Sequence, residues 1–192
     1  MSTVANTDVR QTVLVVDDEP DVAEAQAVKL RERYDTRVAT SGREALEVID
    51  EDVDAVVLDR RMPDVHGDEV LAEIRDRGYD CKVIMATAVD PDLNILEMEF
   101  DDYLCKPIFS DTLQQTLEQL LDPGPQDPRL SEFFSTVSKI EVLEEKLPKT
   151  ELRNDEEYRR LKERARELGE KLEESEADFE DLVDTFREIS RG

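Results

Sequence analysis

The stretch VDAVVLDRRMP, residues 53–63, decides how the rest of the chain is interpreted. It is a short apolar run, rich in β-branched residues, that ends in one carboxylate, Asp59. Such a run is too short for a buried helix and is typical of a strand covered on both faces, as in parallel sheets. Pro63 cannot continue the strand because proline lacks the amide donor that a sheet requires. We therefore expect Asp59 at the carboxyl end of a buried strand, where open α/β sheets bind their ligands.

The composition restricts the class of protein. The chain has 192 residues, enough for one ordinary domain and a smaller module, and 39% of them are hydrophobic. Acidic residues outnumber basic ones by 50 to 25, which gives a net charge of −25. Such a surface repels nucleic acid in ordinary salt, but at molar salt the screening length falls to about 3 Å. The acid excess indicates a protein that works in concentrated salt, with an acidic mesophilic protein as the alternative.

Targeting signals and metal-binding cysteine patterns are absent from the sequence. The first twelve residues lack the basic-then-apolar pattern of a signal peptide, and no apolar run is long enough to span a membrane, so we expect a cytoplasmic protein. Cys81 and Cys105 begin and end separate apolar runs, which places them at opposite ends of neighbouring strands and argues against a disulfide. Together with His66 they do not make a metal site. We interpret His66 as a surface residue at the start of a helix.

Short apolar strands alternate with amphipathic helices over the first 121 residues. Besides the central strand, strands are predicted at 13–16, 36–39, 82–86 and 102–105. Helices lie between them, among them a short one from Pro91 to Met98, and a last one runs from Asp111 to Leu121. Strict alternation implies right-handed crossovers and a parallel sheet with helices on both faces. The sequence has no GxGxxG and no P-loop motif, so the sheet is not obviously built for a nucleotide.

Polar side chains follow four of the predicted strands. They are Asp17 and Asp18, Asp59, Thr87, and Lys106. Because the carboxyl ends of parallel strands meet at one edge, these residues should converge. Three carboxylates in one pocket need a cation among them, and oxygen ligands with room for water suit Mg²⁺. The residues therefore predict a magnesium site that accepts a phosphoryl group on a carboxylate, with Asp59 as the best acceptor.

In their order and context these residues resemble the receiver domain of two-component response regulators. The matching motifs are Asp17-Asp18, Asp59 followed by Met62-Pro63, Thr87-Ala88, Tyr103, and Lys106-Pro107. The resemblance covers about residues 9–121 and implies an α/β fold of the flavodoxin-like (CheY-like) type. That fold is a doubly wound, five-stranded parallel sheet with strand order 2-1-3-4-5. It also implies that Asp59 accepts a phosphoryl group from a cognate histidine kinase.

The same resemblance assigns roles to the site residues. The Mg²⁺ ligands it implies are Asp18, Asp59 and the main-chain carbonyl of Arg61, with Asp17 acting mainly through water. The residues that would contact the phosphoryl group or respond to it are Thr87, Lys106 and the switch aromatic Tyr103, which would rotate inward. Phosphorylation would then change the surface formed by the receiver's fourth helix, fifth strand and fifth helix, through which a homodimer could form.

The composition changes sharply at residues 122–129, DPGPQDPR, which we interpret as a linker. Residues 130–192 are predicted to be helical throughout, with a first helix ended by Pro148. Asn154 with Glu157 is the predicted capping pair of a second, longer helix.

The apolar stripe of that second helix runs from Tyr158 to Ile189 in steps of three and four, the pattern of a coiled coil or a long helical hairpin. Residues 130–192 resemble the HalX domain, a helical module of haloarchaeal response regulators, for which an output or dimerisation role is expected.

Three other functions compete with a phosphorylated switch. A phosphatase that forms an aspartyl phosphate would need a second aspartate two residues after the first, where this chain has Arg61. The basic residues between 159 and 166 alternate with glutamates at salt-bridge spacing, which favours a solvated surface over a DNA-binding one. Direct control of transcription by DNA binding and a purely protein-binding adaptor therefore both stay open. We expect no enzymatic turnover beyond slow self-catalysed phosphorylation and dephosphorylation.

Overall fold

The computed structural model describes residues 10–88, 92–122 and 128–175. Its five parallel strands are β1 (Thr12–Val16), β2 (Asp35–Ala39), β3 (Ala55–Asp59), β4 (Lys82–Thr87) and β5 (Asp102–Cys105). They form one sheet in the order β2-β1-β3-β4-β5, which confirms the predicted fold. All five residues of β3 are buried, as predicted for a strand covered on both faces.

Helices cover both faces of the sheet. One face packs against α1 (Pro20–Leu30) and α4 (Ser110–Leu121), and the other against α2 (Gly42–Val48) and α3 (Gly67–Asp76). Successive residues of β3 point to opposite faces, so Val57 joins the first core and Val56 the second.

The helix predicted from Pro91 to Met98 is present but shorter. It is a 3-10 helix at Leu93–Glu97, and Pro91 lies outside the described residues. Asp92 accepts a hydrogen bond from the Asn94 amide at 3.2 Å, which starts a tight turn. Only Ile95 of this helix is buried, so a longer helix would gain little from packing.

The C-terminal module consists of α5 (Pro128–Lys146), α6 (Lys149–Asn154) and α7 (Glu156–Ser175). The first helix begins at Pro128, within the predicted linker. Leu130 and Phe133 of α5 pack with Leu168 and Leu172 of α7, so the two long helices form a hairpin within the chain.

The predicted cap of the last helix is wrong by one residue. Asp155, not Asn154, caps α7, because its carboxylate accepts a hydrogen bond from the Tyr158 amide at 2.8 Å. Asn154 is instead the last residue of α6, a short helix that the periodicity did not reveal. Pro148 ends one helix and immediately precedes the next, a position where proline is tolerated.

The apolar stripe of α7 faces inward over the described part of the helix. Its members are either buried or partly buried: Tyr158, Leu161, Ala165, Leu168 and Leu172. The side chain of Ser175 and the predicted stripe positions Phe179, Leu182, Phe186 and Ile189 lie outside the described residues. Across the described ranges, no helix combines the length and the apolar character that crossing a membrane would require.

The helical module packs directly on the α/β domain at the β5 side of the sheet. Ile140 and Leu143 of α5 share one core with Phe100 and Tyr103. Cys81 precedes β4 at its amino end, whereas Cys105 ends β5, as the spacing predicted. No disulfide joins the two cysteines, both of which lie within the described residues.

Candidate functional site

Three carboxylates meet at the carboxyl edge of the sheet. Asp17 and Asp18 follow β1 and Asp59 ends β3, and the register places Val16 opposite Leu58, so the two strands end together. One oxygen of each carboxylate lies within 4.8 Å of the other two. Asp17 is 2% exposed and Asp59 is 6% exposed. Buried like charges at this distance need positive charge nearby.

Lys106 supplies that positive charge from the end of β5. Its Nζ donates to Asp17 Oδ2 and to Asp59 Oδ2, both at 2.6 Å. Burial alone would lower the pKa of Lys106, but the hydrogen bonds to Asp17 and Asp59 and their negative charges outweigh burial and raise it. The amide of Lys106 also donates to the Thr87 carbonyl at 2.8 Å, which fixes the lysine to β4.

Main-chain amides orient the two buried carboxylates. Asp17 Oδ1 accepts from the Glu19 amide and Asp59 Oδ1 from the Arg61 amide, each at 3.0 Å. The side chain of each aspartate is therefore bound on one oxygen by the local backbone and on the other by the lysine. This contact also brings the main chain of Arg61 beside the carboxylates, while its role as a carbonyl ligand stays a prediction.

Gly67 allows the start of α3 to lie close to the end of β3. A Cβ atom at this position would lie 2.3 Å from the Asp59 carbonyl oxygen, so any larger residue would force the start of α3 away from β3. The Gly67 amide donates to the Arg60 carbonyl at 2.9 Å. His66 is exposed at the N-cap position of α3 and makes no side-chain cap hydrogen bond, in agreement with its interpretation as a helix-start residue.

The two remaining predicted residues line the interior of the same region. Thr87 ends β4 and is fully buried, and the register places it opposite Cys105, next to Lys106. Tyr103 lies on β5 and is 3% exposed, and burial raises the pKa of its phenol. The structure thus brings together Asp17, Asp18, Asp59 and Lys106, with Thr87 tied to the lysine through the backbone. Tyr103 is turned into the core.

Sequence reasoning missed one residue of this region, Arg60. It is 6% exposed, and its guanidinium forms ion pairs with Asp68 at 2.9 Å and with Asp92 at 3.2 Å. Burial would lower the pKa of Arg60, but hydrogen bonds to Asp68, Tyr103 and Asp92 raise it. The available signal was an arginine directly after a fully buried strand, where a charged side chain is rarely found without partners.

The donor set fits a small divalent cation. Mg²⁺ prefers oxygen ligands at about 2.1 Å in octahedral geometry and usually keeps several waters. Carboxylate oxygens within 4.8 Å of one another can reach one such ion. Two of the three aspartates are buried and the third is partly buried, so the ion would have protein on one side and space for water or substrate on the other.

Family models match most of the chain. The response regulator receiver domain matches residues 13–118, and the HalX domain matches residues 126–190. The chain therefore belongs to the response regulator family and consists of a receiver domain followed by a HalX domain.

Individual relatives agree with this assignment. A candidate transcriptional regulator of Haloferax volcanii is 47% identical over 135 residues, which are 70% of this chain and 23% of that protein. The transcriptional regulatory protein CutR of Streptomyces coelicolor is 46% identical over 100 residues, 50% of this chain and 46% of that protein. The chain thus spans less than half the length of these relatives.

A solved structure of another response regulator has a similar fold. The response regulator TrrA of Thermotoga maritima, in complex with Mg²⁺ and beryllofluoride, is 35% identical with a TM-score of 0.51. The match covers 58% of this chain and 99% of that one.

Proposed function

We propose that Asp59 is the phosphoacceptor of a two-component signalling pathway and takes its phosphoryl group from a histidine kinase in a Mg²⁺-dependent reaction. One observation carries the proposal: residues separated by up to 89 positions meet so that Lys106 bridges Asp17 and Asp59 at 2.6 Å. A purely structural role would not require three carboxylates and one lysine at the ligand-binding edge of the sheet.

The transfer needs little covalent chemistry from the protein. An oxygen of Asp59 attacks the phosphorus, the P–N bond of the kinase's phosphohistidine breaks, and the imidazole leaves and takes up a proton. The Arg61 amide and Lys106 fix the carboxylate for an in-line approach. Lys106 can then contact a phosphoryl oxygen, and the Thr87 hydroxyl can donate to another.

Asp17, Asp18 and Asp59, with the main-chain carbonyl of Arg61, would hold the metal ion. When bound, Mg²⁺ supplies positive charge that offsets the negative charge on the phosphoryl oxygens. The aspartates also set the selectivity of the site, because an all-oxygen set with room for water favours Mg²⁺ over softer metals.

Replacement of the acceptor tests the proposal. With acetyl phosphate and Mg²⁺ in molar KCl, the wild-type protein should gain the mass of one phosphoryl group, and Asp59→Ala should gain none. Asp35→Ala, which removes an exposed carboxylate at the start of β2, is the matched control and should be labelled like wild type. Labelling of Asp59→Ala at another residue would overturn the assignment.

We infer that the output of the switch is the packing of α5 on β5. Ser138 Oγ donates to Asp102 Oδ1 at 2.5 Å, and Ser135 Oγ donates to the Phe100 carbonyl at 3.0 Å. Lys139 Nζ donates to the Met98 carbonyl at 2.5 Å and lies 4.7 Å from the centroid of the Phe100 ring. These contacts connect α5 with the segment from the 3-10 helix to β5, next to Tyr103.

A shift of the Tyr103 side chain would therefore change the packing of α5 directly. Tyr103 shares a core with Ile140 and Leu143, so a change in its side chain alters the surface on which the helix packs. Dimerisation through the face made by the 3-10 helix, β5 and α4 would require α5 to move away, because α5 already packs on β5.

Hydrogen exchange measures this coupling. Addition of beryllofluoride and Mg²⁺ in molar KCl should speed amide exchange in α5 and leave α1, on the opposite face of the sheet, unchanged. Light scattering on the same samples tells whether release of α5 accompanies dimerisation. Unchanged exchange in α5, in protein that binds beryllofluoride, would refute the coupling without affecting the assignment of Asp59.

The names of the relatives associate the family with transcription. We propose that this chain takes part in transcription control by contacting other proteins and not by binding DNA. Two arginines of α7 are already paired: Arg164 with Glu132, and Arg166 with Glu163 and Glu170. A helix neutralised in this way presents little positive charge to phosphates. Sequence-specific DNA binding by the isolated chain at its working salt concentration would contradict this part of the proposal.

A further inference from the structure

A cavity of about 440 Å³ lies in the helical module, at the corner where α5, α6 and α7 meet. Its volume is within the range of small-molecule binding sites. Leu152 and Tyr158 line the cavity, and only 2% and 5% of their surfaces are exposed, so both are fixed in the core of the module. We call this cavity the corner pocket. Its other lining residues are one acidic and four basic residues: Glu144, Lys149, Arg153, Arg159 and Lys162.

The charge of this lining differs from that of the rest of the chain. The whole sequence has 50 acidic and 25 basic residues, whereas four basic residues face one acidic residue around the pocket. That acidic residue, Glu144, already has two donors: its Oε1 accepts from the Tyr158 hydroxyl at 2.5 Å and from Lys162 Nζ at 2.7 Å. Because Glu144 and Lys162 compensate each other, the three other cations determine the charge of the pocket.

Those three cations have no acidic partner. Lys149, Arg153 and Arg159 are exposed, and none of them forms an ion pair with a residue that the structure describes. Arg159 Nε donates to the neutral carbonyl of Asp155 at 3.3 Å. At the corner, positive charge is therefore left uncompensated. Farther along the same helix, arginines are paired with glutamates: Arg160, Arg164 and Arg166.

We propose that the corner pocket binds a small molecule that carries phosphate groups, of the class of nucleoside phosphates. Its phosphates contact Lys149, Arg153 and Arg159, and its apolar part lies against Leu152 and Tyr158. This function goes beyond the proposed phosphoryl transfer and uses none of the residues of that site.

A ligand with several phosphate oxygens fits these side chains better than a monovalent anion does. A guanidinium can hold two oxygens of one phosphate, and lysine adds a point charge. In molar KCl the screening length is about 3 Å, so exposed charges attract each other mainly at direct contact. A phosphate chain can contact three cations at once, which a single chloride ion cannot do. The contact with Leu152 and Tyr158 is apolar and is not weakened by the screening of charge.

Titration with ATP tests the pocket. The chain contains four tyrosines, so 3-fluorotyrosine gives four ¹⁹F signals, each assigned by one Tyr→Phe variant. In molar KCl without divalent ions, ATP should shift the Tyr158 signal until it saturates and leave the signal of Tyr34, in the α/β domain, unchanged. The absence of divalent ions prevents binding of a metal–ATP complex at the carboxylate edge of the sheet. Adenosine and pyrophosphate each offer one part of the ligand and should bind more weakly than ATP.

Two adjacent arginines of α7 provide a matched pair of variants. Arg159→Gln removes a cation of the pocket, and we expect about ten-fold weaker binding of ATP, the effect of one lost hydrogen bond to a charged group. Arg160→Gln changes the net charge equally, but Arg160 is paired with Glu156 and is not among the lining residues, so ATP should bind as it does to wild type. Arg153→Gln repeats the test on α6. Urea unfolding without ATP gives the stability of each variant.

Three results would overturn the inference. The first is a Tyr158 signal that ATP does not shift; if duplex DNA shifts it instead, the cations contact nucleic acid. The second is an equal loss of ATP affinity in Arg159→Gln and Arg160→Gln, which would mean that ATP responds only to the total charge. The third is adenosine that binds as tightly as ATP, because the cations would then contribute nothing. Each of these results leaves the assignment of Asp59 unaffected.

Discussion

Two carboxylate sites of the protein have different partners for their negative charge. At the edge of the sheet, Asp17 and Asp59 share one lysine, with both contacts at 2.6 Å. At the junction between receiver and HalX domain, Asp102 faces the hydroxyl of Ser138, a neutral donor. No cation forms an ion pair with Asp102 among the described residues, and Asp101 and Glu141 add negative charge.

The difference predicts a pH response at the junction. In the first site, Lys106 offsets the negative charge of Asp17 and Asp59, because opposite charges attract most strongly where water is excluded. The second site has no such compensation, and burial, which outweighs the hydrogen bond from Ser138, raises the pKa of Asp102 to about 6. We therefore expect the junction to loosen when Asp102 loses its proton.

The largest effect should come from removing the shared cation. Lys106→Met leaves two buried carboxylates without their partner, and we expect the free energy of unfolding to fall by about 3 kcal/mol in the absence of divalent ions. Urea unfolding in molar KCl with a chelator measures the loss. Lys29→Met removes an exposed lysine of α1 and should cost less than about 0.5 kcal/mol. Equal stabilities of the two variants would show that the lysine is not required to compensate the carboxylates.

The second substitution, Asp102→Asn, should raise the free energy of unfolding at neutral pH instead of lowering it. Because the pKa of Asp102 is raised in the folded protein, its stabilising contribution is complete below about pH 4 and is lost as the pH rises through about 6. Asp102→Asn keeps the acceptor for Ser138 and cannot ionise. It should match wild type near pH 4 and exceed it by about 1–2 kcal/mol at about pH 7.5, a value reduced for the partial exposure of the side chain.

Urea unfolding at both pH values tests this sign. Asp35→Asn, an exposed carboxylate on β2, should change the stability by less than about 0.5 kcal/mol at either pH. A variant Asp102→Asn that is less stable than wild type at neutral pH would mean that the carboxylate is held as a favourable charge and that the comparison of the two sites is wrong.

A smaller effect should distinguish the two serines of α5. Ser138→Ala should cost about 1–2 kcal/mol at neutral pH, where its acceptor is charged, and closer to about 1 kcal/mol below about pH 5. Ser135→Ala, which loses a bond to the neutral Phe100 carbonyl, should cost about 1 kcal/mol at both. Thermal unfolding at the two pH values provides the measurement, and identical pH profiles for the two variants would count against an ionised Asp102.

The smallest effect concerns a third carboxylate, Asp155, which accepts a hydrogen bond from one backbone amide. Asp155→Ala removes the cap of α7 and should destabilise the helical module by about 0.5–1 kcal/mol. Asn154→Ala, one residue earlier and exposed, should be nearly neutral. Circular dichroism during urea titration compares them. A larger cost for Asn154→Ala would restore the capping pair first predicted from the sequence.

The predictable part of the site is the part carried by the strand ends. Asp17, Asp59 and Lys106 each follow an apolar run, and parallel strands that end together must bring such residues to one edge. Arg60 was not predictable in this way, because its partners Asp68 and Asp92 come from a helix start and from the turn before a 3-10 helix. Nothing in their spacing indicates that they meet.

In the helical module, too, only part of the structure could be predicted from the sequence. The steps of three and four in its apolar stripe predicted that Tyr158, Leu168 and Leu172 would be buried, and they are. The pattern left open whether the stripe packs within the chain or against a second subunit. It also gave no sign of α6 or of the cap at Asp155, because a six-residue helix has too few turns for a periodic pattern.

The sequence by itself determined the order of strands and helices, the edge of the sheet at which the carboxylates and Lys106 converge, and the acidic surface. These follow from patterns within one element or from the geometry common to all parallel sheets. Only the tertiary structure decided that α5 lies on β5, that Asp102 faces Ser138, and that Arg60 joins the start of α3 to Asp92. Such contacts depend on how separately formed surfaces fit together, and no local pattern along the chain records that fit.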